Sequence, residues 1–273
     1  MTEIIKTLLF RLKKTTYFWI LLAIALLLPV FGALLIDLSL KMGEALNEPI
    51  EQLMNQMLAQ YGGLSGLMSG FTSISSNPMI LSIIFASVFL SAEFKSGTVR
   101  NAIIAGKSRS QLYLSYYLVA LIGGFGIFVV YFLSAFVSMG LVFRFDATGN
   151  MVTELLYCFL LGLLAIVFVQ TLVCAFLFNT RSRVLTIVIP LIICILGPGI
   201  IATIVEIVSV KDIIANGYID VYSLQYVPFY NTTLLAATKF STANVLMIIA
   251  YYVVFSSAIF CASYFPFHKA DLK

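Results

Sequence analysis

Tyr17-Phe-Trp-Ile-Leu-Leu-Ala-Ile-Ala-Leu-Leu-Leu-Pro-Val-Phe-Gly-Ala-Leu-Leu-Ile36 is an unbroken apolar run without a single charged side chain. A helix needs roughly 20 apolar residues to cross the hydrocarbon core of a bilayer, so this run reads as a span. It is too long for the core of a cleavable signal, and no small-residue cleavage site follows it. Comparable runs recur at about Ser75–Phe94, Leu112–Phe143, Glu154–Phe178, from Val184 onward, and at Asn244–Phe267. Of the 273 residues, 61% are hydrophobic and only 10% charged. A soluble domain carries about a quarter charged residues. Lipid removes the need for that many, because it solvates apolar side chains directly. The expected fold class is therefore all-α: a polytopic membrane helix bundle with six transmembrane helices, forming one transmembrane domain over 1–273.

Ahead of the first span, Ile4, Ile5, Leu8, Leu9 and Leu12 recur at helical spacing, with Lys6, Arg11, Lys13 and Lys14 between them. Residues 1–16 thus read as an amphipathic helix lying in the membrane interface, its basic side towards anionic headgroups. Tyr17 and Trp19 stand where an aromatic belt belongs. The segment 37–77 is more polar. Within it Ile50, Leu53, Met54, Met57, Leu58 and Tyr61 have helical spacing, with Asn47 as cap, Pro49 in the first turn and Gly62-Gly63 at the end. Packing against the bundle or the outer leaflet is the favoured role for that helix, ahead of contact with a substrate. The third run exceeds one span and must tilt, bend near Gly123-Gly124, or project beyond the bilayer. The fifth meets Gly197-Pro198-Gly199 early. Proline removes a backbone donor, and freed carbonyls are tolerated at membrane depth only against protein or water. Residues 197–243 therefore read as an extracellular segment of short re-entrant or interfacial helices before the last span.

Charge sets an orientation. Twelve of the 16 Lys/Arg fall on one side of the alternating loops, while nine of the 12 Asp/Glu fall on the other. The positive-inside rule places both termini in the cytoplasm, which requires an even number of crossings and agrees with six.

Three short motifs mislead. Gly106-Lys107-Ser108 resembles the end of a phosphate-binding loop, but Asn101 stands where the first glycine is needed. Gly63-Leu64-Ser65-Gly66 resembles an intramembrane protease serine motif. The only histidine, His268, falls on the opposite side of the expected bilayer, too far to act as its base. Asn231-Thr232-Thr233 matches a glycosylation pattern, which matters only in a secretory host. The four cysteines all lie in apolar runs without metal or disulfide spacing, and no cluster suggests a metal. No nucleic-acid partner is expected.

One segment differs from the rest: Ser91-Ala-Glu93-Phe-Lys95-Ser-Gly97-Thr98-Val-Arg100-Asn-Ala-Ile103-Ile104-Ala-Gly106-Lys107-Ser108-Arg109. It places an acid, four bases, two glycines and two isoleucines in one turn on the basic side. A short helix after Gly97, with Ile103 and Ile104 as its apolar face, would make a rigid knob for a partner. A solvated basic loop accounts for the same composition.

The run Glu93-Phe-Lys-Ser-Gly97-Thr98-Val-Arg100-Asn, followed by Ser108-Arg109, resembles the signature of ABC-2 type exporter permeases. The basic amphipathic N-terminus, six spans and complex segment before the last span resemble that family too. Two positions depart from its pattern: Gly106-Lys107 replaces a proline before the Ser–Arg pair, and no lysine opens the third span. The resemblance implies that 93–111 is a cytoplasmic coupling loop docking into a separate ABC ATPase subunit. Glu93 would anchor the knob by pairing with a base or with backbone donors. Gly97 would allow the turn, and Lys95, Thr98, Arg100 and Arg109 would belong to the docking element. Gly197, Pro198, Gly199 and Glu206 would belong to an extracellular gate. It implies no catalysis and no cofactor on this chain, with ATP and Mg on the partner subunit, and a second permease copy or related permease completing the unit.

The function this implies is the permease subunit of an ATP-driven exporter of hydrophobic or amphipathic cargo, an antimicrobial peptide or drug, giving self-protection or resistance. The expected location is a bacterial plasma membrane. Among the expected spans and gate, Glu206 is the one candidate for an intramembrane charge, and it is expected near the outer surface, so a small-ion route fits poorly. An apolar pathway with Ser82, Ser87, Thr171 and many Phe and Met suits a hydrophobic or amphipathic cargo. Alternatives are a stand-alone channel or ion transporter, or a non-transporting anchor subunit of a membrane complex.

Overall fold

The computed structural model describes residues 2–45, 49, 52, 54–55, 68, 70–73, 75–143, 149–180, 182–197, 200 and 242–269. Among the described residues the chain is helical, without strands. The helices are α1 (Thr2–Lys14), α2 (Thr16–Ala45), α3 (Asn77–Lys95), α4 (Thr98–Ile104), α5 (Arg109–Phe143), α6 (Gly149–Thr180), α7 (described over Arg183–Gly197) and α8 (Thr242–Lys269). Five of them are long and apolar enough to cross a membrane: those carrying Thr16–Gly43, Asn77–Lys95, Arg109–Phe143, Val152–Thr180 and Ile248–His268. Described α7 is about 22 Å long at 1.5 Å per residue, short of a full span. The protein is a multi-pass helical membrane protein.

α1 is amphipathic as its spacing requires: Leu8 and Leu12 are buried, while Lys6, Arg11, Lys13 and Lys14 are exposed. A break at Thr15 separates it from α2. There the Trp19 indole N–H donates to the Lys13 carbonyl at 2.9 Å, satisfying an orphan acceptor at the end of α1. α2 runs nine residues further than its apolar run, through Asp37 to Ala45. A Lys41–Asp37 pair at 2.6 Å, one helical turn apart, and the buried Leu40 carry that extension. Pro29 sits inside α2, and two α5 hydroxyls meet carbonyls beside it: Ser134 to Leu26 at 2.6 Å and Ser138 to Pro29 at 3.4 Å. These bonds tie α5 to α2 around the proline.

α3 stands in the middle, packed on α5 and α6; α2 lies along α5, and α8 along α6. Gly123 and Gly124 do not interrupt α5, which is one 35-residue helix. They are contact points instead. A Cβ at Gly123 would enter the Phe85 ring of α3, and one at Gly124 would lie 2.7 Å from the Gln170 amide nitrogen of α6. Gly162 of α6 meets the Phe128 ring of α5 in the same way.

In the segment between α2 and α3 Gln52, Met54 and Asn55 are helical, and Met54 packs on a small cluster of Ala33, Met139 and Phe143. Asn47, Ile50, Leu53, Met57, Leu58 and Gly62–Gly66 lie outside the described residues. Of the expected gate, Gly197 is helical, whereas Pro198, Gly199, Glu206 and the rest of 201–241 lie outside them.

Candidate coupling site at the basic end of the bundle

The segment 93–109 folds into α4 between two left-handed glycines. Gly97 has φ +71° and Gly106 φ +82°, a region a side chain enters only with strain. Gly97 closes α3, its N–H reaching the Phe94 carbonyl at 3.2 Å, and its own carbonyl accepts the first bond of α4 from Asn101 at 2.9 Å. At the other end the Gly106 N–H reaches the Ile103 carbonyl at 2.9 Å and the Lys107 N–H reaches the Ala102 carbonyl at 3.1 Å. This pair of bonds is a Schellman termination. Ser108 then caps α5, accepting the Gln111 N–H on its hydroxyl at 3.3 Å. The segment is thus a helix held at both ends rather than a solvated loop.

The two isoleucines do not share a face. Val99 is buried and Ile103 half-buried against the core, while Ile104 is 75% exposed. Successive helical residues point about 100° apart, so Val99 and Ile103, one turn apart, make the inner face. Ile104 therefore projects outward on the same side as exposed Arg100, with exposed Asn101 next to it. Thr98, half-buried, has its hydroxyl 2.7 Å from that of Ser96.

The base that anchors Glu93 comes from α1. Arg11 donates to the Glu93 carboxylate at 2.6 Å, across 82 residues of sequence. The Glu93 side chain is 8% exposed and that of Arg11 45%, so the carboxylate sits in the bundle and the guanidinium closes it from outside. Lys107 adds a longer pair to Glu3 at 3.6 Å. The amphipathic helix and the knob are therefore one charged assembly. Behind Glu93, Phe94, Tyr113, Tyr116, Phe178 and Phe267 form a continuous aromatic layer linking α3, α5, α6 and α8.

Arg109 has an engagement within the chain. Its guanidinium donates to the His268 carbonyl at 3.2 Å, at the end of α8, where carbonyls lack helical partners and the dipole favours a cation. Tyr264 donates to Ser110 at 2.7 Å and Tyr113 to Ser263 at 3.1 Å, tying the same two helix ends. The Ser108-Arg109 pair thus joins a helix cap to an interhelical tie. Arg109 belongs to this tie, and the outward cations beside α4 are Arg100 and Lys95. Lys95, with Arg183 of α7, also lines an open groove of about 540 Å³ at this end.

Three side chains expected along a pathway are sealed in the core. Ser82 donates to the Met79 carbonyl, Ser87 to the Thr186 carbonyl of α7 at 3.0 Å, and Thr171 to the Val167 carbonyl. Small hydroxyls satisfied this way let helices approach closely in a membrane. Sequence reasoning passed over Gln170, fully buried and donating to the Ser82 carbonyl at 3.2 Å. Its signal was present: it is the one amide side chain in the run 155–178. Reasoning from sequence also missed the Arg11 partner of Glu93 and the outward Ile104.

A family model described as "ABC-2 family transporter protein" matches residues 4–197, from α1 through the described part of α7. No curated protein and no solved structure matches the chain.

Proposed function

The chain belongs to the ABC-2 family of transporter proteins, and from that premise we propose that it is the permease subunit of an ATP-driven exporter. Proteins of this family normally work in the bilayer with an ABC ATPase subunit. The supporting observation is the build of α4. It is held at both ends by left-handed glycines, follows an α3 end pinned to α1 through Glu93 and Arg11, and presents Ile104 and Arg100 outward. Such a knob suits a groove with an apolar floor and an acidic rim on a separate ATPase. Because α4 follows α3 after one turn, closure of an ATPase pair would displace α3, and with it the core of the bundle.

In this reading both termini and α4 face the cytoplasm of a bacterial plasma membrane, and two permeases work with two ATPases carrying ATP and Mg. The described spans are nearly free of charge, which supports a hydrophobic or amphipathic cargo, an antimicrobial peptide or drug, rather than a small ion. The test is purification of the full chain from its own membranes in mild detergent. An ABC ATPase should accompany it, with hydrolysis that responds to cargo in reconstituted vesicles. Ion conductance by the chain alone, with no ATPase retained, would instead point to a channel. A complex without any transport would indicate an anchor subunit.

A further inference from the structure

The open groove of about 540 Å³ at the basic end is bordered by the last turn of α3 and by Arg183, where described α7 begins. Lys95 ends α3, and Ser91 stands about 6 Å before it along the helix. The groove therefore starts where two apolar helices meet the basic end and reaches one turn into them. Ser87 of α3 donates to the Thr186 carbonyl of α7 at 3.0 Å, one turn past Arg183. That bond holds the two helices, and with them the two cations, side by side.

Charge around the groove is unbalanced. Lys95 and Arg183 are both exposed, and neither makes an ion pair among the described residues. Glu93, two residues before Lys95, is already held by Arg11 at 2.6 Å. The charges of Arg183 and Glu93 both act on the Tyr17 hydroxyl at the start of α2, so Arg183 stands beside that clamp. Three cations thus stand around one acid. The groove hydroxyls are spent: Ser91 donates to the Val88 carbonyl at 3.2 Å and Ser96 to the Glu93 carbonyl at 3.1 Å. The donors left for a ligand are the Lys95 ammonium and the Arg183 guanidinium, which select an anion.

The rest of the surroundings is apolar. Phe94 and exposed Ala92 border the groove, and beyond Arg183 the α7 side chains Val184, Leu185 and Val188 are exposed on the outside of the bundle. A free anion would gain nothing from that surface, whereas an acyl chain would lie on it. Basic pockets between membrane helices suit phospholipid headgroups for this reason.

We infer that the groove holds the phosphate of an anionic phospholipid from the leaflet at the basic end. Lys95 and Arg183 bind the phosphate, and an acyl chain lies along Val184, Leu185 and Val188. The lipid braces the end of α3 from which α4 continues. The site needs only the bundle and a bilayer, so it stands without the export reading.

The experiment uses the full chain, with the ATPase that it retains, in phosphatidylcholine nanodiscs. The probe is a trace of phosphatidylglycerol carrying a diazirine near the head of one acyl chain. It should label peptides covering 91–96 and 182–188 in preference to a phosphatidylcholine with the same group. Lys95→Gln/Arg183→Gln should lose about thirtyfold in that labelling, the factor that two surface cations supply. Lys95→Arg/Arg183→Lys should retain it. Lys6→Gln/Lys13→Gln, which removes the same charge from the exposed face of α1, should leave the labelling of these peptides in place. Phosphatidylglycerol should raise the melting point of the wild type and leave that of the Gln variant unchanged. Equal labelling by the two lipids, wild-type labelling of the Gln variant, or an equal loss in the α1 variant would each overturn the site. Displacement by excess inorganic phosphate at matched ionic strength would mark a free-anion site instead. Crosslinks that vanish whenever the ATPase is retained would mark a seat for protein. Either result overturns the lipid, and the ATPase pull-down tests the export reading separately.

Discussion

α2 is the more hydropathic of the first two spans, yet α3 is the one the protein surrounds. On α2, Ile20, Leu27, Phe31, Leu34 and Leu35 are exposed, whereas on α3, Ile83, Phe85, Ala86 and Leu90 are sealed. In water the greasier helix would be inside. In a bilayer lipid is as apolar as leucine, so burial follows the capacity for close packing and hydrogen bonding. α3 has that capacity: Ser82, Ala86, Ser87 and Ser91 are small, and the glycine of α5 at position 123 lets the Phe85 ring approach. The mechanical consequence is that the knob follows a helix packed on α2, α5 and α6 and leads into α5, which packs on α1, α2, α3, α6 and α8. α1, joined to the outlying α2, grips that knob from outside through Arg11.

The contrast is broken most forcefully in the centre. Phe85→Ala should cost about 3 kcal/mol or more, from the cavity it leaves between α3, α5 and α2. Unfolding of the purified chain in bicelles measures this. A loss no greater than that of a surface substitution would place α3 outside the core. Next in size is the clamp. Glu93→Ala should cost about 1–2 kcal/mol, towards the low end for a charge-assisted bond because Arg11 is half exposed. A double-mutant cycle with Arg11→Ala should return most of that figure as coupling energy. Independent, additive losses would mean the pair contributes nothing.

Gly97→Ala comes third. Open space surrounds the position, so the penalty of about 1–2 kcal/mol is that of left-handed backbone alone. Gly106→Ala should behave alike, and both should weaken ATPase coupling more than they lower the melting point. The smallest effect belongs to α2. Leu35→Ala, on a 67% exposed side chain, should change stability by less than about 0.5 kcal/mol. A large loss there would show that another protein surface, rather than lipid, covers α2.

Five of the six expected crossings, the amphipathic α1 and the unusual segment 93–109 were legible because each is a local pattern of composition or period. The extension of α2 to Ala45 was not, since Asp37 and Lys41 read as the start of a loop unless paired. Nor was the rank of α3 within the bundle, because hydropathy reports affinity for lipid and is silent on neighbours. Within the site, Gly97 was readable from its place between two helical stretches. The Arg11–Glu93 pair spans 82 residues, and no local pattern distinguishes Arg11 from Lys6, Lys13 or Lys14. Arg109 was recognised by its motif, but its bond to the end of α8 exists only once the two helices meet. The inward Val99 and outward Ile104 followed from helical geometry alone, and a helical wheel over 98–104 would have separated Ile103 from Ile104.

The most direct test of α4 as the coupling element is a pull-down with its outer face altered. Arg100→Glu/Ile104→Asp changes two exposed side chains and should leave the melting point of the full chain unchanged. Wild-type chain should retain its ABC ATPase in mild detergent, and the double variant should retain at least about tenfold less, as loss of an anchor residue at an interface centre predicts. Equal retention of the ATPase by both would contradict the account.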